Sequence, residues 1–143
     1  MKISAKGEYG LRAMAILALE YHTGPVPLRE IAKREEISHQ FLEQIFISLR
    51  HAGLINSVRG AKGGYTLAKA PAKIKVGDII RVLEGPIAPV DCVAKNAEAA
   101  CSRSTFCLTK GIWQRLRDSM TEVLDDITLA DVIKKSDSEP GGK

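Results

Sequence analysis

Residues 38–67 read SHQFLEQIFISLRHAGLINSVRGAKGGYTL, and this stretch decides the fold. Ser38 is suited to cap a helix whose Leu42, Ile45, Phe46 and Leu49 recur at the 3.6-residue period of one buried face. Gly53 stands where a left-handed residue would close that helix. The period then changes. Leu54–Val58 and Tyr65–Leu67 read as short strands, and Arg59-Gly60-Ala61-Lys62-Gly63-Gly64 between them is a turn with three glycines and two cations.

Upstream, residues 7–22 form a helix that places Leu11, Met14, Ala15 and Ala18 on one face. The Gly24-Pro25-Val26-Pro27 break leads into a short helix marked by Leu28, Ile31 and Ala32. Three helices followed by a basic-tipped hairpin are the order of a winged helix-turn-helix. Downstream, residues 76–84 predict a fourth helix, presenting Ile79, Ile80 and Leu83 and ending at Gly85-Pro86. Residues 86–108 show no period. From Thr109 a longer helix is predicted, with Trp113, Leu116, Met120, Val123 and Ile127 alternating at three- and four-residue spacings, the pattern of a helix–helix seam. The expected fold is therefore mainly α with a small β-hairpin wing, comprising a winged helix-turn-helix plus a long C-terminal dimerisation helix. The expected organisation is a DNA-binding domain over 1–75, a cofactor-binding loop and dimerisation helix over 76–133, and a disordered tail over 134–143.

Charge supports this division. The 143-residue chain carries a net +4, but residues 1–75 hold 12 Lys/Arg against 6 Asp/Glu, while residues 76–143 hold 9 against 11. A basic front half is what a polyanion-binding surface needs, because phosphate contacts and counterion release supply much of nucleic-acid affinity. In a helix-turn-helix the second helix enters the major groove and reads base edges with its N-terminal residues. Those are Ser38, His39, Gln40 and Glu43, with Phe41, Leu42 and Ile45 divided between groove edge and core. Gln pairs with adenine, Glu accepts from a cytosine amine, and Ser serves either. Arg50, further along, is assigned to phosphate or to an acidic neighbour. In the wing, Arg59 suits a narrow minor groove, Lys62 a phosphate, and Gly60, Gly63 and Gly64 allow close backbone approach. Double-stranded DNA is the expected partner.

All three cysteines, Cys92, Cys101 and Cys107, fall within the aperiodic segment. An odd number so closely grouped argues against a disulfide framework and for metal or redox chemistry. The sequence holds no P-loop, no nucleotide-binding GxGxxG and no recognisable nucleophile–base pair, and its histidines, at 22, 39 and 51, all precede the cysteines. An enzyme is not expected. The apolar runs are too short to span a bilayer and the N-terminus lacks a signal-peptide pattern, so a cytoplasmic location is expected.

The segments MKISAKGEYGLRAM, GPVPLREIAKREEIS, FLEQIFISLRHAGLINSVRGAKGGY and KVGDIIRVLEG together resemble the Rrf2 family of bacterial regulators, over about residues 1–133. The resemblance implies a homodimer that binds a palindromic operator, paired through the long C-terminal helix. It further implies an iron–sulfur cluster, 2Fe-2S or 4Fe-4S, held by Cys92, Cys101 and Cys107, since clustered thiolates suit such a cluster. The C-x8-C-x5-C spacing is wider at its first interval than in the best-known members. Where one branch of the family places a histidine ligand three residues after the last cysteine, this chain has Lys110, whose ammonium is a poor ligand. Another branch uses a carboxylate near the N-terminus of the partner subunit, which points to Glu8 as fourth ligand. The function implied is a transcription regulator that senses redox state, nitric oxide or iron–sulfur status. A structural zinc and a metal-free thiol switch on the same DNA-binding fold stay open beside it.

Overall fold

A computed structural model of the chain describes residues 2–94 and 107–138. Helix α1 (Ala5–Leu19) starts at Ser4, whose hydroxyl accepts the Gly7 amide at 3.3 Å. The Glu84 carboxylate in turn accepts from the Ser4 amide and hydroxyl, fastening the N-terminus to the far end of the fourth helix. Helix α2 (Leu28–Glu35) follows Pro27 and ends at Glu36, which adopts the left-handed conformation at φ 54° and turns the chain into the next helix. Helix α3 (His39–His51) is capped by Ser38, as the sequence indicates, and Gly53 beyond it has φ 78°. Strands β1 (Ile55–Val58) and β2 (Gly64–Leu67) pair antiparallel with Ile55 opposite Leu67. Helix α4 (Val76–Glu84), helix α5 (Lys110–Asp126) and helix α6 (Leu129–Ser138) complete the described elements.

Helix α1 is the hub, packing on α2, α3, α4, α6 and β2. For that reason its burial is wider than the single face read from sequence. Ala13, Ile16 and Leu17 are buried along with Met14 and Ala18. The core is one cluster that joins Met14, Leu17, Ile31, Phe46 and Ile55 to Ile74, Ile79 and Leu129, so it is continuous across positions 75 and 76. Gly10 lies where α1 meets α4, and a Cβ there would collide with Leu83.

Two features differ from the sequence expectation. Helix α5 ends at Asp126, so Ile127 stands beyond it in extended conformation rather than on its stripe. The chain then turns back. The Val76 amide donates to the Ile127 carbonyl at 2.8 Å and the Leu129 amide to the Ile74 carbonyl at 3.0 Å. Helix α6 follows, with Leu129 wholly buried and the backbone helical to Ser138, past position 134 where the sequence suggested a disordered tail. Residues 139–143 of that tail lie outside the described residues. The reason is tertiary: Leu129 and Ile133 reach the α1 core only because the α5–α6 junction is held against the segment before α4.

Candidate nucleic-acid interface and thiol site

Helix α3 divides its residues cleanly. Leu42, Ile45, Phe46 and Leu49 are buried, whereas Ser38, His39, Gln40, Glu43 and Arg50 are exposed. Of Phe41, Leu42 and Ile45, which were expected to divide between groove edge and core, Leu42 and Ile45 are fully inside the core. Phe41 is half-buried, edge-on to Tyr9 with ring centroids 5.9 Å apart. The side chains of His39, Gln40, Glu43 and Arg50 make no hydrogen bond or ion pair among the described residues, so they keep their full polar capacity for a ligand. Ser38 spends its acceptor on the Phe41 amide at 3.1 Å and retains its hydroxyl proton. Gln44 and Ile47, exposed on the same stripe, were not singled out from the sequence, although the helical spacing from Gln40 to Gln44 is the signal that finds them.

The wing is held beside this helix by ring packing and backbone hydrogen bonds. Tyr65 of β2 packs edge-on against Phe46 of α3 with centroids 4.8 Å apart. Its amide and carbonyl exchange hydrogen bonds of 2.9 and 3.0 Å with Val26, just ahead of α2. Both ends of the helix-turn-helix are thereby tied to one strand residue. At the tip, Arg59, Gly60 and Lys62 are exposed. The glycines serve different ends from one another. Gly60 has φ 110° and open space at its Cβ position, so its freedom shapes the turn and leaves room outside it. A Cβ at Gly63 would strike the Val58 carbonyl, and one at Gly64 would strike the Val26–Pro27 backbone. Close approach at those two positions is therefore to the protein's own chain.

The described cysteines lie between α4 and α5, on the C-terminal side of the wing in sequence. Cys92 sits in a short 3-10 turn (Asp91–Val93), which Val93 anchors by being buried. The Arg117 guanidinium of α5 donates to the Val93 carbonyl at 3.0 Å. Cys92 lines a cleft of about 960 Å³ between that turn and α5, together with Arg81, Lys110, Arg117 and Asp125. Cys107 is half-buried just ahead of α5, its Sγ 3.4 Å from Thr109 Oγ1. Cys101 lies outside the described residues. Glu8 is exposed in the first turn of α1, and within one chain it does not converge with Cys92 and Cys107.

An ion pair joins two of the cleft's lining residues. Arg81 of α4 donates to Asp125 of α5 at 2.6 Å and also faces Asp78 at 3.5 Å. The hydrogen bond from Arg81 holds the Asp125 carboxyl below its ordinary value against a smaller opposing effect of burial, and it raises Arg81 in return. Gly77 makes room for this pair, since a Cβ there would collide with Asp125 Oδ1.

Residues 3–135 match the Rrf2 family, described as "Iron-dependent Transcriptional regulator". The chain belongs to the Rrf2 family of transcription regulators. It is 47% identical over 139 residues to the HTH-type transcriptional regulator CymR of Bacillus subtilis, covering 97% of this chain and 94% of that one. The solved structure of B. subtilis CymR, described as the global cysteine regulator, superposes with a TM-score of 0.78 at 44% identity, covering 94% of this chain and 98% of that one. The structure of T. potens IscR also superposes with a TM-score of 0.78, at 47% identity over 95% of this chain and 88% of that one. Staphylococcus aureus CymR, solved in an oxidized form, superposes at 0.74 with 42% identity, covering 92% of this chain and 95% of that one. This Rrf2 protein is thus a winged helix-turn-helix DNA-binding regulator with a C-terminal helix, and it is not an enzyme. Among the described residues no helix is long and apolar enough to cross a membrane.

Proposed function

We propose that this regulator is a homodimer that reads a palindromic operator, and that its affinity for the operator responds to an iron–sulfur cluster held by Cys92, Cys101 and Cys107. The single observation that carries the sensing reading is the cysteine segment itself, which runs from α4 to α5 with Cys92 lining the cleft at one end and Cys107 just ahead of α5 at the other. The donor set fits such a cluster. Three thiolates bring negative charge, and in the cleft beside Cys92, where Arg81 is paired with Asp125 and Arg117 with Asp118, Lys110 is the cation left among the described residues to offset it. The fourth ligand we assign to the partner subunit's Glu8, a reading supported by an exposed Glu8 that meets neither described cysteine within its own chain.

Two copies are favoured by α5, none of whose side chains is buried in one chain. Ile112 and Val123 are more than half exposed, and Trp113, Leu116 and Met120 partly so. A second α5 would cover this stripe and set the distance between two reading helices. On the DNA side we assign Ser38, His39, Gln40 and Glu43 to base edges, Arg50 and Lys62 to phosphates, and Arg59 with Gly60 to the minor groove.

A bound cluster supplies one-electron redox chemistry and an iron whose carboxylate ligand can be exchanged. The chain's own residues then carry the consequence. Arg117 holds the Cys92 turn to α5, the Arg81–Asp125 pair holds α5 to α4, and α4 packs on α1 and α3. A change in the cysteine segment therefore bears on the placement of α5, and through it on operator affinity by whatever the two states differ.

The test is an anaerobic visible spectrum of fresh protein with iron and sulfide quantified, followed by operator titrations of holo and apo protein at equal salt. Matched iron and sulfide, charge-transfer absorption and unequal affinities are expected, with Glu8→Ala altering the spectrum or lability. A colourless protein that resists reconstitution overturns the cluster. Metal-free thiol sensing is the second reading, favoured by the likeness to a CymR solved in an oxidized form. It expects operator binding that changes with mild oxidation of metal-free protein. One zinc per chain and no redox response would point to a structural zinc instead.

A further inference from the structure

The reading face of α3 carries one residue whose chemistry does not match its neighbours. Core residues Leu42, Ile45, Phe46 and Leu49 define the inner side of the helix. At 3.6 residues per turn the opposite side is a stripe of Gln40, Glu43, Gln44, Ile47 and His51, all exposed. Four of the five are polar. Ile47 is not, and 52% of its surface faces solvent. It is neither part of the hydrophobic core nor among the apolar side chains packed against it. Helix propensity does not favour it either, because a β-branched side chain loses rotamer freedom in a helix. Among the described residues nothing calls for isoleucine at this position.

We infer that Ile47 is a specificity residue of the DNA interface, which packs on the 5-methyl group of a thymine in the major groove. The inference rests on the assignment of α3 as reading helix. Among the four base pairs only those with thymine present an apolar group in that groove, and aliphatic side chains recognise it by contact. Ile47 lies three and four residues beyond Gln44 and Glu43, on the same side, so a helix that brings those amide and carboxylate groups to base edges brings the Ile47 side chain to the next base edges along the groove. Polar neighbours read hydrogen-bonding patterns. Ile47 adds the one signal they lack, a preference for thymine over cytosine at a pyrimidine position.

The experiment compares the wild-type chain with Ile47→Ala and Ile47→Ser on duplexes selected from a random library by the wild-type protein. Each thymine of the selected half-site is replaced in turn by uracil, which deletes only the methyl group. At one position per half-site the wild type should lose about fourfold in affinity, the share of one buried methyl group. The Ala and Ser variants should lose little at that position, and should bind the thymine and uracil duplexes nearly alike. Both are at a solvent-facing site and should keep the wild-type melting temperature. Uracil losses that are equal in wild type and variants at every position would overturn the inference. A companion variant, Gln40→Ala, separates the two levels of argument. If it also leaves selection and affinity unchanged, α3 is not the reading helix. If it weakens binding while Ile47→Ala shows no coupling to any methyl group, only the role of Ile47 is lost.

Discussion

Removing Arg81 should cost more stability than removing the charge on Asp125, although both break the same 2.6 Å ion pair. The asymmetry comes from what each partner has left. Without the Asp125 charge, Arg81 still faces Asp78 at 3.5 Å and is itself 38% exposed, so water and a second carboxylate remain. Without Arg81, Asp125 keeps no hydrogen-bond donor on that oxygen among the described residues and only the through-space charge of Lys75, and its other oxygen, Oδ1, is already buried with no hydrogen bond among the described residues. A hydrogen bond to a charged group is worth about 1.5–3 kcal/mol, and partial exposure moves this pair to the lower end. Arg81→Met is therefore expected to cost about 2 kcal/mol and Asp125→Asn about 1 kcal/mol. For a chain of this length each kcal/mol lowers the melting temperature by roughly 3–4 °C.

The pH dependence gives an independent check. The folded state holds Asp125 below its ordinary value, so its stabilising share is fully present above the unfolded aspartate range. That share is lost as pH falls through the folded value, when the carboxyl gains a proton and the pair dissolves. Wild type and Arg81→Met should therefore converge in stability toward acid pH. Thermal melting at fixed protein concentration measures all of this, concentration being held because a dimer's stability depends on it. An Arg81→Met variant no less stable than Asp125→Asn, or a gap that persists unchanged into acid while both chains stay folded, would refute the reasoning.

Two further outcomes test the mounting of the reading elements. Phe46→Ala, at a side chain 1% exposed and edge-on to Tyr65, should lose about 3–5 kcal/mol in denaturant unfolding, and Phe46→Leu less than about 1.5. A small loss for the Ala variant would show that Phe46 does not hold the wing to α3. Lys62→Ala should leave folding unchanged and reduce the slope of log affinity against log salt by about 0.9 per chain. Equal slopes would remove Lys62 from the phosphate contacts.

Much of the fold was legible because local signals and tertiary demands agreed. Ser38 caps α3, Gly53 takes a positive φ, and α4 runs from Val76 to Glu84 as its periodicity indicates. On α3 the exposed polar residues separate from the buried apolar ones by period alone, which is why His39, Gln40 and Glu43 could be named from sequence. Gln44 and Ile47 are not marked by the rule that a reading helix contacts bases with its N-terminal residues, and an isoleucine in a helix reads by default as core. The glycines of the wing were recognised as a group, yet their roles were not separable, since what a missing Cβ clears depends on which backbone lies opposite.

The sequence by itself determined the order of elements as far as α5, the basic hairpin and the cysteine segment, because each rests on residues close together in the chain, and it carried the family resemblance in motifs spread over residues 1–133. Only the tertiary structure decided that α6 folds back onto α1, that Gly64 clears Val26, and that Arg81 reaches Asp125. Those contacts join positions 38 to 44 residues apart, or more than a hundred in the case of α1 and α6. No local period encodes them. Holding the α5–α6 junction against the segment before α4 puts Leu129 and Ile74 in one core, and the ion pair forms where that packing leaves the two side chains face to face, while Gly64 clears Val26 where β2 bonds to the segment ahead of α2.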